Sequence, residues 1–302
     1  MKDIHDRGYQ KLFANLEIFR QLVTTFVRKP WVKDLDFSKC ELLKESFVSK
    51  CYKRTFSDLI YKIKLRGRNL YIVVLLEFKA TSERFVALQM LGYIVDFYRH
   101  LRESRARLKT LPPVFPILLY NGKRRWTAPL NFSTLVEGHD LLGRQALRFA
   151  YWPIIENAFS KEELLRIGNI VSTLFLAEVH YDFELLCREL AKLHARTRNK
   201  QAVSLLINWF EQLWRHGRIE ESEYKTLERI HYDRKEVNMM IEAIKKEKKQ
   251  LHQQGVKQGV KQGVTKIAKS MLASGEPIAK IQRYTGLSAE TIRKLTAKKQ
   301  RA

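Results

Sequence analysis

Three residues in the first third of the chain have the types and spacing of a hydrolytic metal site. Glu77 and Lys79 lie two positions apart at the end of an apolar run, LYIVVLLEF over 70–78, and Asp58 lies near the start of a second run, SDLIYKIKL over 57–65. Because strand side chains alternate between two faces, Glu77 and Lys79 project from the same face. Two carboxylates can bind a divalent cation, and a lysine beside them can orient or deprotonate an attacking water.

The position of Asp58 depends on a predicted hairpin. If the loop around Gly67-Arg68 closes a symmetric pair of strands, Asp58 falls opposite Glu77, with Cβ atoms roughly 4.5–5.5 Å apart. Such carboxylates repel each other unless a cation lies between them. We therefore predict that Asp58 and Glu77 hold Mg²⁺, with Mn²⁺ or Ca²⁺ as alternatives, and that Lys79 orients or deprotonates the water. The competing interpretation is a strand end that reaches solvent, and a one-residue bulge would break the pairing.

Two further candidates lie on the helix predicted after this strand. Gln89 and Tyr93 are one turn apart and so share a helical face. An amide and a phenol at this position could hold a scissile phosphate or the waters around the metal. The alternative interpretation is structural, with Tyr93 half in the core and Gln89 at the surface.

The elements that must position these residues follow from hydrophobic periodicity. Helical spacing predicts helices over 6–28, ending before Pro30, and over 83–105. Alternating or continuous apolar runs predict strands at 41–51 (one or two short ones), 57–65, 70–78 and 114–120. This order predicts an α/β fold, a mixed sheet flanked by helices. The segment 123–150 is basic and rich in turn residues, and no fold is predicted for it.

The C-terminal part has a different character. Residues 160–250 show helical periodicity throughout, and Gln-Gly-Val-Lys at 254–257 then repeats at 258–261 and partly at 262–264. Glycine at every fourth position allows close helix approach, so we favour a thin helix that packs on a partner, forming a homodimer, over a basic linker. Three short helices are predicted beyond the repeat, over 265–274, 277–284 and 288–296, the last two joined as a helix-turn-helix.

The formal net charge of +24 is divided unevenly along the chain. Residues 1–140 carry 26 basic and 14 acidic side chains, 141–244 carry 15 of each, and 245–302 carry 15 and 3. Two basic regions predict two contacts with a polyanion, for which nucleic acid is favoured over an anionic membrane surface. Three dispersed cysteines exclude a disulfide framework and a cysteine zinc site. No signal peptide or membrane span is recognisable, so a cytoplasmic location is expected.

These residues together resemble the PD-(D/E)XK nuclease superfamily, in which an Asp on one strand, a Glu-x-Lys on the next and a following helix form the core. The Gln-x-x-x-Tyr pair is similar to the helix motif of its RecB-like branch. More closely, the chain resembles the Rpn family of recombination-promoting nucleases, also called YhgA-like putative transposases. The segments that carry this likeness are His5-Asp6, Ser57–Tyr61, Leu75–Lys79, Leu111–Val114, Tyr120–Gly122, Trp126–Pro129 and the tail from Ile267 to Leu295.

The resemblance implies a restriction-endonuclease-like fold followed by a helical C-terminal region, and a Mg²⁺-dependent DNA endonuclease that promotes recombination or transposition. Carried over by position, Asp58 and Glu77 would be metal ligands and Lys79 the catalytic lysine, supported by Gln89 and Tyr93. The alternative is a non-catalytic DNA-binding or transposition-accessory protein that keeps the fold. The expected parts are a nuclease-like core over 1–140, a helical extension over 141–250, the repeat segment over 251–264 and a basic helix-turn-helix-like tail over 265–302.

Overall fold

A computed structural model describes residues 2–43, 59–66, 70–105, 108–197, 199–232 and 237–297. The chain separates into two compact units, Met1–Val237 and Asn238–Ala302. Within the first unit, the contacts of the helical residues beyond 160 with the N-terminal helices join them into one body. The finer division into a core over 1–140 and an extension over 141–250 stays a prediction.

A mixed sheet forms the centre of the first unit. Its described strands are β1 (Leu35–Leu42), β2 (Leu59–Leu65), β3 (Leu70–Lys79), β4 (Val114–Tyr120) and β5 (Trp152–Ile155), adjacent in that order. The first three pair antiparallel, and β3, β4 and β5 pair in parallel. The predicted α/β class with a mixed sheet is therefore confirmed.

The predicted hairpin is confirmed over the residues that the structure describes. Strands β2 and β3 pair without a bulge from Leu65 with Leu70 to Leu59 with Leu76. The predicted strand at 114–120 coincides with β4, and that at 70–78 extends one residue further, to Lys79. Of the predicted strand at 41–51, residues 41–42 end β1, which begins earlier than expected, while 44–51 lie outside the described residues.

The single helix predicted over 6–28 is wrong. The structure has two helices there, α1 (Lys2–Phe13) and α2 (Leu16–Phe26). Between them, the side chain of Asn15 accepts hydrogen bonds from the backbone N–H groups of Glu17 (3.0 Å) and Ile18 (3.3 Å), so it caps a new helix. Asparagine competes well for backbone donors in this way, which makes it a favourable residue for starting a helix and a poor one inside it.

The two faces of the sheet are covered by different helices. The long helix α3 (Val86–Ser104) packs on one face, where Val86, Ala87 and Met90 share a core with Leu118 and Tyr120. Helix α1 packs on the other face, where the ring of Tyr9 lies 6.0 Å from that of Phe78. Since Phe78 lies between Glu77 and Lys79, those two side chains point towards α3.

Helices dominate the rest of the first unit, as predicted for residues 160–250. They are α4 (Lys161–Ile167), α5 (Ile170–Val179), α6 (Phe183–Arg196), α7 (Lys200–Arg215) and α8 (Glu221–Tyr232). The side chain of Gln21 accepts a hydrogen bond from the N–H of Ile170 (2.8 Å), and the Trp209 ring lies 5.3 Å from that of Tyr9. Between β4 and β5 the chain forms 3₁₀ turns at Phe132–Leu135 and His139–Gln145.

The second unit contains the end of the chain. Helix α9 (Val237–Ala273) is continuous through the glycine repeat, so the repeat is helical and the separate short helix predicted at 265–274 is wrong. Helices α10 (Ile278–Thr285) and α11 (Ala289–Ala297) follow close to their predicted positions. The buried side chains of Ala268, Ile281 and Ile292 form a small core among these three helices. No helix in the described part of the chain has the length and apolar character needed to cross a membrane.

Candidate active site

The candidate site lies at the carboxyl end of β3, where the sheet meets the start of α3. Glu77 is almost completely buried (2% exposed), although it carries a carboxylate. Its Oε1 accepts hydrogen bonds from Lys79 Nζ at 3.0 Å and from Gln89 Nε2 at 3.4 Å. A buried carboxylate is costly unless its oxygens are compensated, and these contacts compensate one of the two.

The second oxygen of the Glu77 carboxylate differs from the first in its contacts. Oε2 is buried and has no hydrogen-bond partner among the described atoms. A buried oxygen in this state calls for a cation, a water or a further donor. Carboxylate oxygen is a preferred ligand of Mg²⁺ and Ca²⁺, so the residues present suit a divalent cation at this position.

Lys79 is held by three acceptors. Besides Glu77, its Nζ donates to Gln89 Oε1 at 3.0 Å and to Glu83 Oε2 at 3.4 Å, which together use the three donor directions of an ammonium. Burial alone would lower the pKa of Lys79, but the charges and hydrogen bonds of Glu77 and Glu83 outweigh it and the pKa is raised. Lys79 is therefore a protonated donor at neutral pH in this arrangement.

Gln89 and Tyr93 both take part in this network. The Gln89 amide bridges Glu77 and Lys79 and also donates to the hydroxyl of Tyr93. The ring of Tyr93 packs against the core between α3 and the sheet. The structure thus combines the two interpretations of Tyr93, since its ring is structural while its hydroxyl reaches the network. Of the predicted site residues, Glu77, Lys79, Gln89 and Tyr93 are brought together.

Asp58 lies outside the described residues. The pairing of Leu59 with Leu76 is the last described step of a register in which Glu77 comes next on β3. The predicted opposition of Asp58 and Glu77 stays a prediction. Among the side chains that are described, His, Cys, Asp and Glu form no group of three that could hold a metal ion.

The turn after β4 supports the site and was not identified from the sequence as doing so. The N–H of Asn121 donates to the carbonyl of Lys79 (3.1 Å), and the Tyr120 hydroxyl donates to the carbonyl of Arg124 (2.7 Å). Ser82 Oγ accepts from the N–H groups of Thr127 and Ala128, both at 3.0 Å. These bonds fasten the loop after β3 to the segment after β4, and thereby fix the end of the strand that carries Lys79.

We expect Gly122→Ala to damage this support. A Cβ at Gly122 would lie 2.2 Å from the Tyr120 hydroxyl oxygen and 2.4 Å from the carbonyl oxygen of Ala80, which is backbone and cannot move without moving β3. Overpacking of this kind typically costs about 1–3 kcal/mol, and urea unfolding should show it. Gly92→Ala is the matched control, since its Cβ would meet nothing within 4 Å in the middle of α3. That variant should gain up to about 1 kcal/mol from helix propensity; equal losses in both would contradict the prediction.

A pair of buried carboxyl groups lies on the opposite side of the sheet from Glu77. Glu156, directly after β5, is fully buried, and burial raises its pKa well above the ordinary value. The charge of Glu178 raises it further, while the hydroxyl of Tyr9 partly opposes the shift. Glu178 is itself compensated by Arg218 and by the indole N–H of Trp209, both at 2.9 Å. Glu156 stands alone in the sequence, so no motif marked it.

Comparison with known proteins agrees with these observations. Residues 3–204, about two thirds of the chain, match a family described as putative transposases, YhgA-like. The chain is 25% identical to recombination-promoting nuclease RpnA of Escherichia coli (strain K12) over 95% of both proteins. It is 23% identical to recombination-promoting nuclease RpnD of Escherichia coli O157:H7, over 58% of this chain and 67% of that protein.

A further relative carries a different name. The inactive recombination-promoting nuclease-like protein RpnE of Escherichia coli (strain K12) is 23% identical over 43% of this chain and 42% of its own length. No solved structure matches the chain significantly. The family match covers β1 to β5, α3 and the whole candidate site, and it confirms the likeness inferred from the motifs. The chain belongs to the family of YhgA-like putative transposases.

Proposed function

We propose that the protein is a metal-dependent DNA endonuclease that hydrolyses phosphodiester bonds and thereby promotes recombination or transposition. The observation that carries this proposal is the buried Glu77 carboxylate, with one oxygen held by Lys79 and the other without a described partner. The names of the relatives RpnA and RpnD, which call them recombination-promoting nucleases, support the choice of reaction and of substrate. Because DNA is the proposed substrate, a cytoplasmic location is part of this proposal.

Glu77 and Asp58 would hold the cation, which we propose to be Mg²⁺, with Mn²⁺ or Ca²⁺ as alternatives. When bound, such a cation supplies Lewis-acid polarisation of the phosphate and activation of water. Lys79 is a donor surrounded by acceptors, so its role is to orient the attacking water and to stabilise negative charge on the phosphate. Gln89 holds both Glu77 and Lys79, and the Tyr93 hydroxyl fixes the orientation of its amide.

The tail offers a second contact for DNA. Helices α10 and α11 are joined by a turn at Gly286, whose φ of 70° is the left-handed conformation that suits glycine, and their apolar sides pack on the end of α9. This is the arrangement of a helix-turn-helix, in which the second helix enters the major groove. On α11, Arg293 and Lys294 are exposed and suited to phosphate.

Self-association through the repeat helix is a further part of the proposal. Val256 and Val260 are more than half exposed on α9, and a Cβ added at Gly259 or Gly263 would meet nothing within 4 Å. The repeat therefore has room for close approach by a second copy. Sedimentation velocity of the protein and of Val260→Asp would test it, since a monomeric wild type contradicts the homodimer.

A plasmid-nicking assay tests the proposed reaction. Supercoiled plasmid incubated with the protein and Mg²⁺ should be nicked, and EDTA, Asp58→Ala or Lys79→Ala should each abolish nicking while DNA binding persists. Nicking that survives both substitutions would exclude the proposed site. A wild type that binds DNA without cutting it in any divalent cation would favour the second candidate, a non-catalytic DNA-binding or transposition-accessory protein. The name of the relative RpnE calls that protein inactive.

A further inference from the structure

A cleft of about 680 Å³ lies beside the candidate active site and has no role in the mechanism proposed above. Trp126, Leu130, Pro153 and Ile155 supply its apolar lining, and Lys123 and Arg125 supply positive charge. Its volume is within the range of roughly 300–1,000 Å³ that small-molecule sites occupy, enough for one nucleotide.

The pairing of the strands places the cleft on the same face of the sheet as the site. Glu77 pairs with Leu118, which in turn pairs with Pro153. Two residues further along each strand, Lys79 pairs with Tyr120, and Tyr120 pairs with Ile155. Paired residues point to the same face, and neighbouring strands are about 4.8 Å apart. The cleft therefore begins about 10 Å from the carboxylate and ammonium of the site, across two strands.

Side-chain contacts connect the two places. The Trp126 ring packs edge-on against the ring of Tyr120, with centroids 4.9 Å apart, and Tyr120 is the cross-strand neighbour of Lys79. Thr127 and Ala128, which also line the cleft, are bound through their N–H groups to Ser82 in the loop that follows Lys79. The wall of the cleft is thus fixed relative to the site.

Lys123 and Arg125, which line the cleft, belong to a run of three consecutive basic residues. The side chains of Lys123, Arg124 and Arg125 are exposed, and in the described part of the chain neither arginine forms an ion pair. Their backbone is rigidly held, because the carbonyl of Arg124 accepts hydrogen bonds from the Tyr120 hydroxyl (2.7 Å) and from Asn157 Nδ2 (3.0 Å). Cationic side chains on a held backbone, beside an apolar aromatic wall, match a phosphate with a base attached.

We propose that this cleft binds an unpaired nucleotide of the DNA strand whose neighbouring phosphate lies at Glu77 and Lys79. The base packs against Trp126 and Ile155, and its phosphate lies at Lys123 and Arg125. A base in a regular duplex has both faces covered by its neighbours, so only a base outside the stack can enter. The preferred substrate is accordingly single-stranded, frayed or bulged DNA. This inference rests on the proposed function for the position of the cut strand.

Binding measurements without cleavage test the proposal. The anisotropy of a short fluorescein-labelled oligothymidylate, and of a blunt duplex of matched length, is followed during titration with the full chain in EDTA. We expect tighter binding of the single strand, and a loss of about 5- to 100-fold in that affinity for Trp126→Ala, with recovery in Trp126→Phe. Affinity for the duplex should change little.

The salt dependence of binding separates the contribution of charge from that of base stacking. Lys123→Ala with Arg125→Ala should reduce the slope of log affinity against log salt by about 1 to 2, whereas the Trp126 variants should leave the slope unchanged. Arg166→Ala with Arg196→Ala removes two exposed charges from α4 and α6 and serves as the matched control. If Trp126→Ala does not fold by circular dichroism, the charge pair and the preference for single strand over duplex still decide the question.

The outcomes distinguish this proposal from the proposed function. Equal affinity for single strand and duplex would overturn the proposed nucleotide binding in the cleft, and so would a single-strand affinity that neither the Trp126 nor the charge variants reduce. Neither result would affect the proposed nicking by Glu77 and Lys79. If the protein binds single strands selectively, these variants abolish that binding and the protein cuts no DNA, then nucleotide binding in the cleft is supported and the proposed nuclease activity is rejected.

Discussion

Replacing Glu77 by glutamine should reduce Mg²⁺-dependent DNA cleavage by about 1,000-fold, since a bound cation contributes several kcal/mol of charge stabilisation. Glutamine keeps the size of the side chain and one carbonyl oxygen, but it removes the charge that would attract a divalent cation into a buried place. Initial rates of plasmid nicking measure the first effect. Mn²⁺ binding, followed by electron paramagnetic resonance, measures the second without any catalysis and should weaken at least about 10-fold.

Glu83→Gln is the matched control for this experiment. Glu83 also contacts Lys79, at 3.4 Å, but its side chain is 46% exposed and it is no predicted metal ligand. Its loss should leave Mn²⁺ binding unchanged and cleavage within a few-fold. Stability is checked in parallel, because Glu77→Gln also removes the nearest charged partner of the buried Lys79 ammonium. If Glu77→Gln folds, binds Mn²⁺ normally and still cuts, Glu77 is not a metal ligand.

The part of this site that could be predicted depends on local pattern. The register of β2 and β3 follows from a short loop and from the alternation of Tyr61, Ile63 and Leu65 with two lysines, because a slip of one residue would turn these apolar side chains to the wrong face. Glu77 and Lys79 then share a face with no further assumption. The β4 strand could be located as well, since Pro113 and Asn121-Gly122 bound a continuous apolar run.

What could not be predicted depends on tertiary contacts. The four residues of β5 have no alternating pattern and become a strand because β4 offers them a parallel partner. The break at Asn15 falls within a helical period of apolar residues that continues on both sides, so periodicity concealed it. Glu83, Ser82 and Asn121 support the site through contacts that only the folded chain provides, and no spacing in the sequence marks them.

Glu156→Gln should stabilise the protein at neutral pH and weaken the dependence of its stability on pH. Burial first, and the charge of Glu178 second, raise the pKa of Glu156 in the folded chain, whereas in the unfolded chain it returns to about 4.3. Between these two values the folded state binds one proton more than the unfolded state. The free energy of unfolding therefore falls as pH rises above about 4.3, by about 1.4 kcal/mol per pH unit, until the folded pKa is reached. Glutamine does not titrate in this range, so the variant lacks this part of the pH dependence.

Urea unfolding of wild type and Glu156→Gln, measured from about pH 5 to about pH 8, gives the difference directly. The two should be similar at the acid end, and the variant should be more stable at the neutral end. Burial also raises the pKa of the neighbouring Glu178, but Arg218 and the Trp209 indole oppose that shift, so Glu178→Gln should gain less stability at neutral pH than Glu156→Gln. The groups around Glu156 come from two elements, Tyr9 from α1 and Glu178 from α5. A parallel pH profile in wild type and Glu156→Gln would mean that this carboxyl ionises in the folded protein as it does in water, and would contradict the prediction.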